Sequence, residues 1–351
     1  MDYHNPHDRQ NVLKHFEQLA NYITQGNLER YDTFQFLVEY WDKVSEPLWY
    51  LGYWNDYYEC ADFILKCAQK INQNAAIAQV LNEMGWREME EDRFRSAKQR
   101  FTEALKIYMA NPDGIVGQCR TLRYLGTLYH RQRRFGSALK SYQKALRLID
   151  ENNKAVVESR QIASEEAEIH NVLGNLYLKL NDFNNCKSEL LYSLEQDKWL
   201  HQTFNQKIGD FYLYYQAAPL LNLGRLYFAT GEFSVARKHY NNCILLCQLI
   251  HRPDMEAGAS IRLAELEEID GNKDEASRLI ERAKILTQVQ SHNVHERAFQ
   301  VQNTIRDNRK SFIYVDKLKQ ITQLFLGLLD ILIFAPVTAW CYAKNSLKYR
   351  R

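Results

Sequence analysis

Two histidine pairs have a spacing that could serve a metal ion. His4 with His7, and His292 with His295, stand three residues apart, so each pair would share one face of a helix. Neither pair has a third ligand at a recognisable spacing, and zinc needs three or four protein ligands. We therefore expect no metal site at either pair.

Cys243 and Cys247 are one helical turn apart and could take part in redox chemistry. Cys243, however, occupies the small-residue position of a repeat described below, so packing in a core is the expected role. The chain has seven cysteines and no CxxC pair, which is typical of reduced thiols in a cytosolic compartment.

Two acidic clusters could supply paired carboxylates for acid–base catalysis. They are Glu88, Glu90, Glu91 and Asp92, and Glu265, Glu267, Glu268 and Asp270. Both clusters precede predicted turns, where solvated charge is normal. The sequence also has no nucleophile elbow, dinucleotide fingerprint or GxxxxGK[ST] loop. We predict a non-enzymatic protein without catalytic residues, cofactor or small-molecule substrate.

The elements that carry these residues are repeats. Three segments share a Leu-Gly step, a tyrosine three residues after the glycine, an aromatic residue nine after it and a small residue twelve after it. They read LRYLGTLYHRQRRFGSALKSYQKAL from Leu122, HNVLGNLYLKLNDFNNCKSELLYSL from His170 and LLNLGRLYFATGEFSVARKHYNNCI from Leu220. Further copies are centred on Gly85 and Ala264, and a weaker one starts at Pro47. Small residues at the crossings let antiparallel helices approach closely, and such hairpins must stack to bury both faces.

On these motifs, residues 47–290 resemble the tetratricopeptide repeat family. The repeats are roughly 40 to 50 residues apart, against about 34 in the commonest form, which resembles the kinesin-light-chain variant found in bacterial and cyanobacterial proteins. The resemblance implies an all-α fold, a right-handed α-solenoid of about six antiparallel helix pairs. It is specific for fold and says little about the ligand.

In this family, one helix of each pair lines a concave groove that binds a partner. The positions that correspond to the ligand-facing ones are Asn82, Arg120, Arg123, Thr127, Asn171, Asn175, Asn222, Arg225 and Arg262. Asparagines can bond both the N–H and C=O of an extended peptide, and arginines can grip carboxylates. We expect a protein or peptide partner of acidic character. The alternative is that these side chains are solvated, or paired with glutamates of the next repeat.

The two ends differ from the repeats. Residues 1–46 are predicted to form a helical capping pair, and residues 291–318 a linker or capping helix. Residues 319–351 form a hydrophobic segment with a basic tail, in which 321–343 carry one charge, Asp330, and are long enough to cross a bilayer. Pro336 could break this segment into a hairpin, and the alternative to a membrane anchor is an apolar cap on the solenoid.

The formal net charge of +2 gives no global field that would collect nucleic acid. Met1–Gln10 contain no apolar stretch of a secretion signal, so we expect a cytoplasmic protein, membrane-associated through its C-terminal segment. The leading hypothesis is an adaptor that holds a partner peptide in its groove and is tethered to a membrane. The alternative is a soluble regulatory sensor whose C-terminal helix caps or occludes the array until a ligand binds.

Overall fold

The computed structural model describes residues 6–25, 30–50, 53–111, 114–156, 160–208, 213–250 and 252–288. Within these ranges all regular structure is α-helical, which confirms the predicted fold class. The helices are α1 (Pro6–Thr24), α2 (Arg30–Tyr50), α3 (Trp54–Lys70), α4 (Asn74–Glu90), α5 (Phe94–Met109), α6 (Ile115–Arg131), α7 (Phe135–Val156), α8 (Arg160–Lys179), α9 (Phe183–Ile208), α10 (Leu213–Ala229), α11 (Phe233–Leu249), α12 (Pro253–Ile269) and α13 (Lys273–Gln288).

From α4 onward the helices pack as antiparallel pairs: α4 with α5, α6 with α7, α8 with α9, α10 with α11, and α12 with α13. We call the leading member of each pair a first helix and the other a second helix. Each first helix also contacts the first helix of the next pair, so α4, α6, α8, α10 and α12 form a continuous series. This packing confirms the predicted α-solenoid of helix pairs.

Ahead of these pairs, α1, α2 and α3 pack on one another, and α3 packs on α4. The boundary expected at residue 46 falls inside α2, because a stripe of buried apolar side chains continues through it. That stripe consists of Phe34, Leu37, Trp41, Val44 and Leu48. Residues 47–50 are therefore part of the same helix as residues 30–46.

A glycine of the first helix and a large side chain of the second form the packing unit of a pair. A Cβ at Gly126 would overlap the ring of Tyr142, and one at Gly224 would overlap the ring of Tyr240. Both tyrosines are fully buried. The other two glycine contacts of this kind are Gly85 with Phe101 and Gly174 with Leu190. The Leu-Gly step of the repeat is therefore where two helices approach most closely.

The turn within each pair closes in the same way. In the α6–α7 turn, the backbone N–H of Arg134 donates to the carbonyl oxygen of Tyr129 at 2.8 Å, the six-to-one bond of a Schellman motif. The residue before it, Arg133, has a φ of 60°, in the left-handed region. The corresponding left-handed residues in the other four turns are Asp92, Asn181, Gly231 and Gly271.

Several expectations lie outside the described residues: the helix at 291–318, the hydrophobic segment at 319–351, the pair His292 and His295, and His4 of the other histidine pair. In the part of the chain that the structure describes, no helix is long and apolar enough to span a membrane.

Candidate functional site

Polar contacts link the first helices of successive pairs. Between α4 and α6, the side-chain amide of Asn82 donates to the hydroxyl of Thr121 at 2.8 Å. The Thr121 hydroxyl in turn donates to the carbonyl oxygen of Gly117 at 2.7 Å. Both Asn82 and Thr121 are buried, so this contact joins two repeats in an environment without competing water.

Between α6 and α8, two arginines flank one glutamate. Nε of Arg120 lies 2.5 Å from one carboxylate oxygen of Glu165, and Arg123 lies 3.0 Å from the other. Arg123 also reaches Glu168 at 3.5 Å. Burial alone would raise the pKa of Glu165, but Arg120 and Arg123 together outweigh it, so the net pKa is lowered. The result is an ionised, mostly buried ion-pair network.

Between α8 and α10, the contacts are amide–amide and arginine–amide. The side-chain N–H of Asn222 donates to Asn171 at 2.9 Å, and both residues are buried. Nη1 of Arg225 donates to the side-chain oxygens of Asn175 at 3.3 Å and of Asn222 at 3.0 Å. The side-chain amides of Asn171, Asn175 and Asn222 therefore take part in contacts between neighbouring repeats.

The structure places the nine predicted groove residues on the first helices, and it divides them into two groups. Four are buried and bonded across repeats: Asn82, Arg123, Asn171 and Asn222. Five are at least partly exposed: Arg120, Thr127, Asn175, Arg225 and Arg262. For Arg120 and Arg123, pairing with a glutamate of the next repeat is what the structure shows. Partner binding by the exposed group stays a prediction.

A group of cations comes from the first helices α8, α10 and α12 and from the turn after α6. It consists of Arg133, Lys179, Arg225 and Arg262, and we call it the basic cluster. Burial and the charges of Arg225, Arg262 and Arg133 lower the pKa of Lys179. Burial, together with the charges of Lys179 and Arg225, lowers the pKa of the adjacent His130 to about 4. The members are therefore close enough to repel one another.

Counter-charge in the basic cluster is scarce. Arg262 forms hydrogen bonds of 2.7 and 3.0 Å to the carboxylate of Glu265. Burial and the charge of Arg262 lower the pKa of Arg225. The two hydrogen-bond acceptors that Arg225 has among the described residues are amide oxygens. Among the described residues, no carboxylate forms an ion pair with Arg133, Lys179 or Arg225. The cluster thus carries uncompensated positive charge.

A fully buried hydroxyl lies beside the basic cluster. Tyr240 is close enough to Arg262 and Arg225 for their charges to act on its phenol, and its hydroxyl has no hydrogen-bond partner in the described structure. In the α6–α7 pair, Tyr142 has the same position, and its hydroxyl lies 3.3 Å from the hydroxyl of Thr127. Arg225 follows Gly224 in α10, and Thr127 follows Gly126 in α6. The α10–α11 pair therefore has an arginine at the position where the α6–α7 pair has the threonine that bonds Tyr142.

Sequence reasoning missed Arg133, Lys179 and Tyr240 as members of this site. Arg133 carried a usable signal, because the other four turns have Asp, Asn or Gly at its position. Those residues adopt the left-handed conformation readily, whereas a long side chain does so at a cost. An arginine at this position is therefore a local exception to the turn chemistry.

The acidic clusters are partly structural. The expectation that they are solvated is wrong for Glu88 and Glu267, which are buried. Glu88 pairs at 2.8 Å with Arg100 from the second helix of its own pair, and Glu267 of α12 pairs with Arg237 from α11, the second helix of the preceding pair. Burial next to an arginine explains both positions. Over the described ranges, no three histidine, cysteine or acidic side chains are grouped so that they could hold a metal ion.

No protein-family profile and no curated protein matches the sequence. The fold is similar to the Rap conjugation gene regulator of the plasmid pLS20 in complex with the Phr* peptide, with a TM-score of 0.50 and 16% identity over 80% of this chain and 78% of that one. It is also similar to a signal transduction ATPase with a tetratricopeptide repeat sensor from Pyrococcus horikoshii, with a TM-score of 0.50 and 13% identity over 87% of this chain and 42% of that one. BtubC from P. vanneervenii has a TM-score of 0.45 and 21% identity over 64% of this chain and 82% of that one. The resemblance to tetratricopeptide repeat proteins is thereby confirmed at the level of fold.

Proposed function

We propose that this chain, a tetratricopeptide-like α-solenoid, is a non-enzymatic scaffold. It binds an acidic peptide segment of a protein partner along its first helices. The observation that carries the proposal is the basic cluster, where four cations come from α8, α10, α12 and the α6–α7 turn and, among the described residues, Arg262 alone is paired with a carboxylate. The Rap regulator, which shares the fold, is in complex with a peptide.

Electrostatics favours an acidic ligand at this position. Like charges that are held close together near a protein surface repel one another. Arg225 is held beside Arg262 without a carboxylate of its own, and burial lowers its pKa further. A bound carboxylate would replace repulsion with attraction, so the cluster should prefer acidic over neutral segments.

Exposure separates the side chains assigned to the partner from those buried between repeats, although Arg120 and Arg225 also bond across repeats. The side chains of Arg120 and Arg262 are 36% and 39% exposed, whereas Arg123 is 9% exposed. Asn175 is partly exposed beside Arg225 and offers an amide to a peptide backbone. We assign recognition to Arg120, Thr127, Asn175, Arg225 and Arg262, and inter-repeat packing to the buried four.

The test is a binding measurement on the full-length protein with two fluorescent pools of degenerate decapeptides. One pool carries glutamate at every third position, and the other carries glutamine there. We expect the glutamate pool to bind at least tenfold more tightly, and Arg262→Gln to remove most of the difference. Arg147→Gln, on an exposed position of the second helix α7, is the matched control and should bind like the wild type. Equal binding of the two pools would refute acidic recognition.

Membrane tethering is a separate part of the proposal. Its support is the sequence of residues 321–343, which carry a single charge over a length that can cross a bilayer. We expect detergent, and neither salt nor alkaline carbonate, to release the full-length protein from membranes. A protein found in the soluble fraction from the start would instead support the soluble sensor, in which the C-terminal segment regulates access to the groove.

A further inference from the structure

We infer that the basic cluster is a phosphate-recognition site, so that the peptide segment bound on the first helices carries a phosphorylated side chain. This inference rests on the proposed function and adds the chemical class of the group that occupies its centre. Four observations support it. They are the excess positive charge of the cluster, the guanidinium nitrogens of Arg225 and Arg262 that have no hydrogen-bond partner among the described residues, the unpartnered hydroxyl of Tyr240, and the left-handed backbone of Arg133.

The charge balance favours a dianion over a single carboxylate. Arg133, Lys179, Arg225 and Arg262 supply four positive charges, and Glu265 is the carboxylate paired with them. A glutamate side chain brings one negative charge, whereas a phosphorylated side chain brings about −1.5 to −2 at pH 7 and three acceptor oxygens. The phosphoryl group therefore neutralises more of the cluster with a single side chain.

The donors also suit a phosphoryl group. Arg225 uses Nη1 for both of its hydrogen bonds, to Asn175 and Asn222, and Arg262 uses Nη1 for both of its bonds to Glu265. Their remaining guanidinium nitrogens have no hydrogen-bond partner in the described part of the chain. An arginine with a free edge can grip two phosphate oxygens at once, which a lysine cannot do.

Tyr240 supplies a further donor beside these arginines. Its hydroxyl is buried and unpartnered, although the corresponding hydroxyl of Tyr142 has Thr127 as a partner. A buried hydroxyl without a partner costs about 1 to 3 kcal/mol. Because this hydroxyl is closed to solvent, a phosphoryl oxygen held by Arg225 and Arg262 would offer the missing acceptor only after the side chains that cover Tyr240 move.

Three features distinguish this site from the corresponding positions of other pairs, and two of them, the backbone of Arg133 and the unpartnered hydroxyl of Tyr240, cost stability. Arg133 has a left-handed backbone where other turns have Asp, Asn or Gly, Arg225 replaces a threonine, and Tyr240 lacks a hydrogen bond. Costs that converge on one place without stabilising the fold are typical of a binding site. Because they converge on the cations, the ligand they serve is an anion.

The closing experiment uses the full-length protein and three degenerate decapeptide pools with a fixed central residue: phosphoserine, glutamate or serine. Binding is followed by fluorescence anisotropy at constant ionic strength. We expect the phosphoserine pool to bind at least tenfold more tightly than the glutamate pool, with inorganic phosphate competing. Equal affinity for the phosphoserine and glutamate pools would overturn the inference.

The decisive variant is Arg225→Thr, because it restores the threonine–tyrosine arrangement of the α6–α7 pair and should therefore fold. We expect it to lose at least tenfold in affinity for the phosphoserine pool, while Arg147→Thr on α7 keeps the wild-type affinity. Wild-type affinity in Arg225→Thr, with an unchanged unfolding midpoint, would place phosphate binding elsewhere and refute the site.

Failure of this inference can be told apart from failure of the proposed function. If glutamate and phosphoserine pools bind equally and both depend on Arg262, the scaffold stands and phosphate selection is wrong. If inorganic phosphate binds in an Arg225-dependent way but none of the pools binds, the anion site stands and peptide recognition is wrong.

Discussion

Arg123 of α6 and Glu165 of α8 form a buried ion pair across two successive helix pairs, with a nitrogen–oxygen distance of 3.0 Å. In the sequence Arg123 looks like a ligand-binding group, yet in the structure it binds a glutamate of the next repeat. A surface of tetratricopeptide-like first helices therefore contains two kinds of polar side chain, those that hold the repeats in register and those that remain open to a partner.

The buried ion pair should matter for stability. Glu165→Gln leaves Arg123 buried without its main counter-charge, and breaking such a pair by removing one partner costs about 3 to 5 kcal/mol. We expect a loss of that size in the free energy of urea unfolding. Glu166→Gln is the control, because Glu166 bonds the exposed Tyr192 instead, and it should cost less than about 1 kcal/mol. Equal effects of the two changes would show that the ion pair contributes little.

The glycine–tyrosine contact is open to a paired test. Gly126→Ala places a methyl group on the ring of the buried Tyr142 and should destabilise the protein by about 1 to 3 kcal/mol. At Gly136 of α7 an added Cβ meets nothing within 4 Å, so Gly136→Ala should be neutral or stabilise by up to about 1 kcal/mol. Thermal unfolding of both variants measures the difference. A Gly126→Ala protein as stable as the wild type would contradict close approach at the Leu-Gly step.

Asp197 of α9 should make stability depend on pH. Asp197 is 1% exposed and its carboxyl group has no hydrogen-bond partner among the described residues, and burial together with Glu168 raises its pKa to about 9. The unfolded chain releases this proton near pH 4, whereas the folded chain keeps it up to about pH 9. Stability therefore falls as pH rises through this window, by at most about 1.4 kcal/mol per pH unit.

The measurement for Asp197 is urea unfolding at pH 5.5 and at pH 8.5. We expect Asp197→Asn to lose less stability between these two values than the wild type, because its side chain cannot ionise. Asp150→Asn, at an exposed position of α7, should keep the pH dependence of the wild type. A pH dependence in Asp197→Asn equal to that of the wild type would show that this carboxyl group is not the cause.

Arg133 should show a conflict between stability and binding. Arg133→Gly relieves a left-handed backbone and should stabilise the protein by about 1 kcal/mol, while removing one cation should weaken acidic-peptide binding several-fold. Asn181→Gly, in the α8–α9 turn, changes a residue that tolerates this conformation and should alter both properties less. Unfolding and binding measured on one preparation test this. Unchanged binding in Arg133→Gly would remove Arg133 from the site.

The fold could be predicted from sequence because its determinants are local and repeated. Gly126 and Tyr142, sixteen residues apart, recur as a small and a large residue in each pair, and that spacing alone sets a helix crossing. The continuity of α2 through residue 46 was missed, because the weak first repeat hides the apolar stripe that crosses the boundary.

The candidate site could be predicted only in part, because its chemistry depends on contacts between repeats. Arg123 and Arg225 stand one helical turn apart on equivalent helices, yet among the described residues one is paired with a glutamate 42 residues away and the other bonds amides. Single-sequence reasoning places both on a first helix. It cannot supply the register between helices that decides which of them keeps a free guanidinium edge.

The central claim is that an acidic segment binds along the first helices. Its most direct test is hydrogen–deuterium exchange of the full-length protein with and without the tightest-binding peptide of the glutamate or phosphoserine pools. The account predicts slower exchange in α8, α10 and α12 and in the turn at Arg133, and no such protection in the Arg225→Thr protein. Protection confined to the second helices α7, α9, α11 and α13 would contradict it.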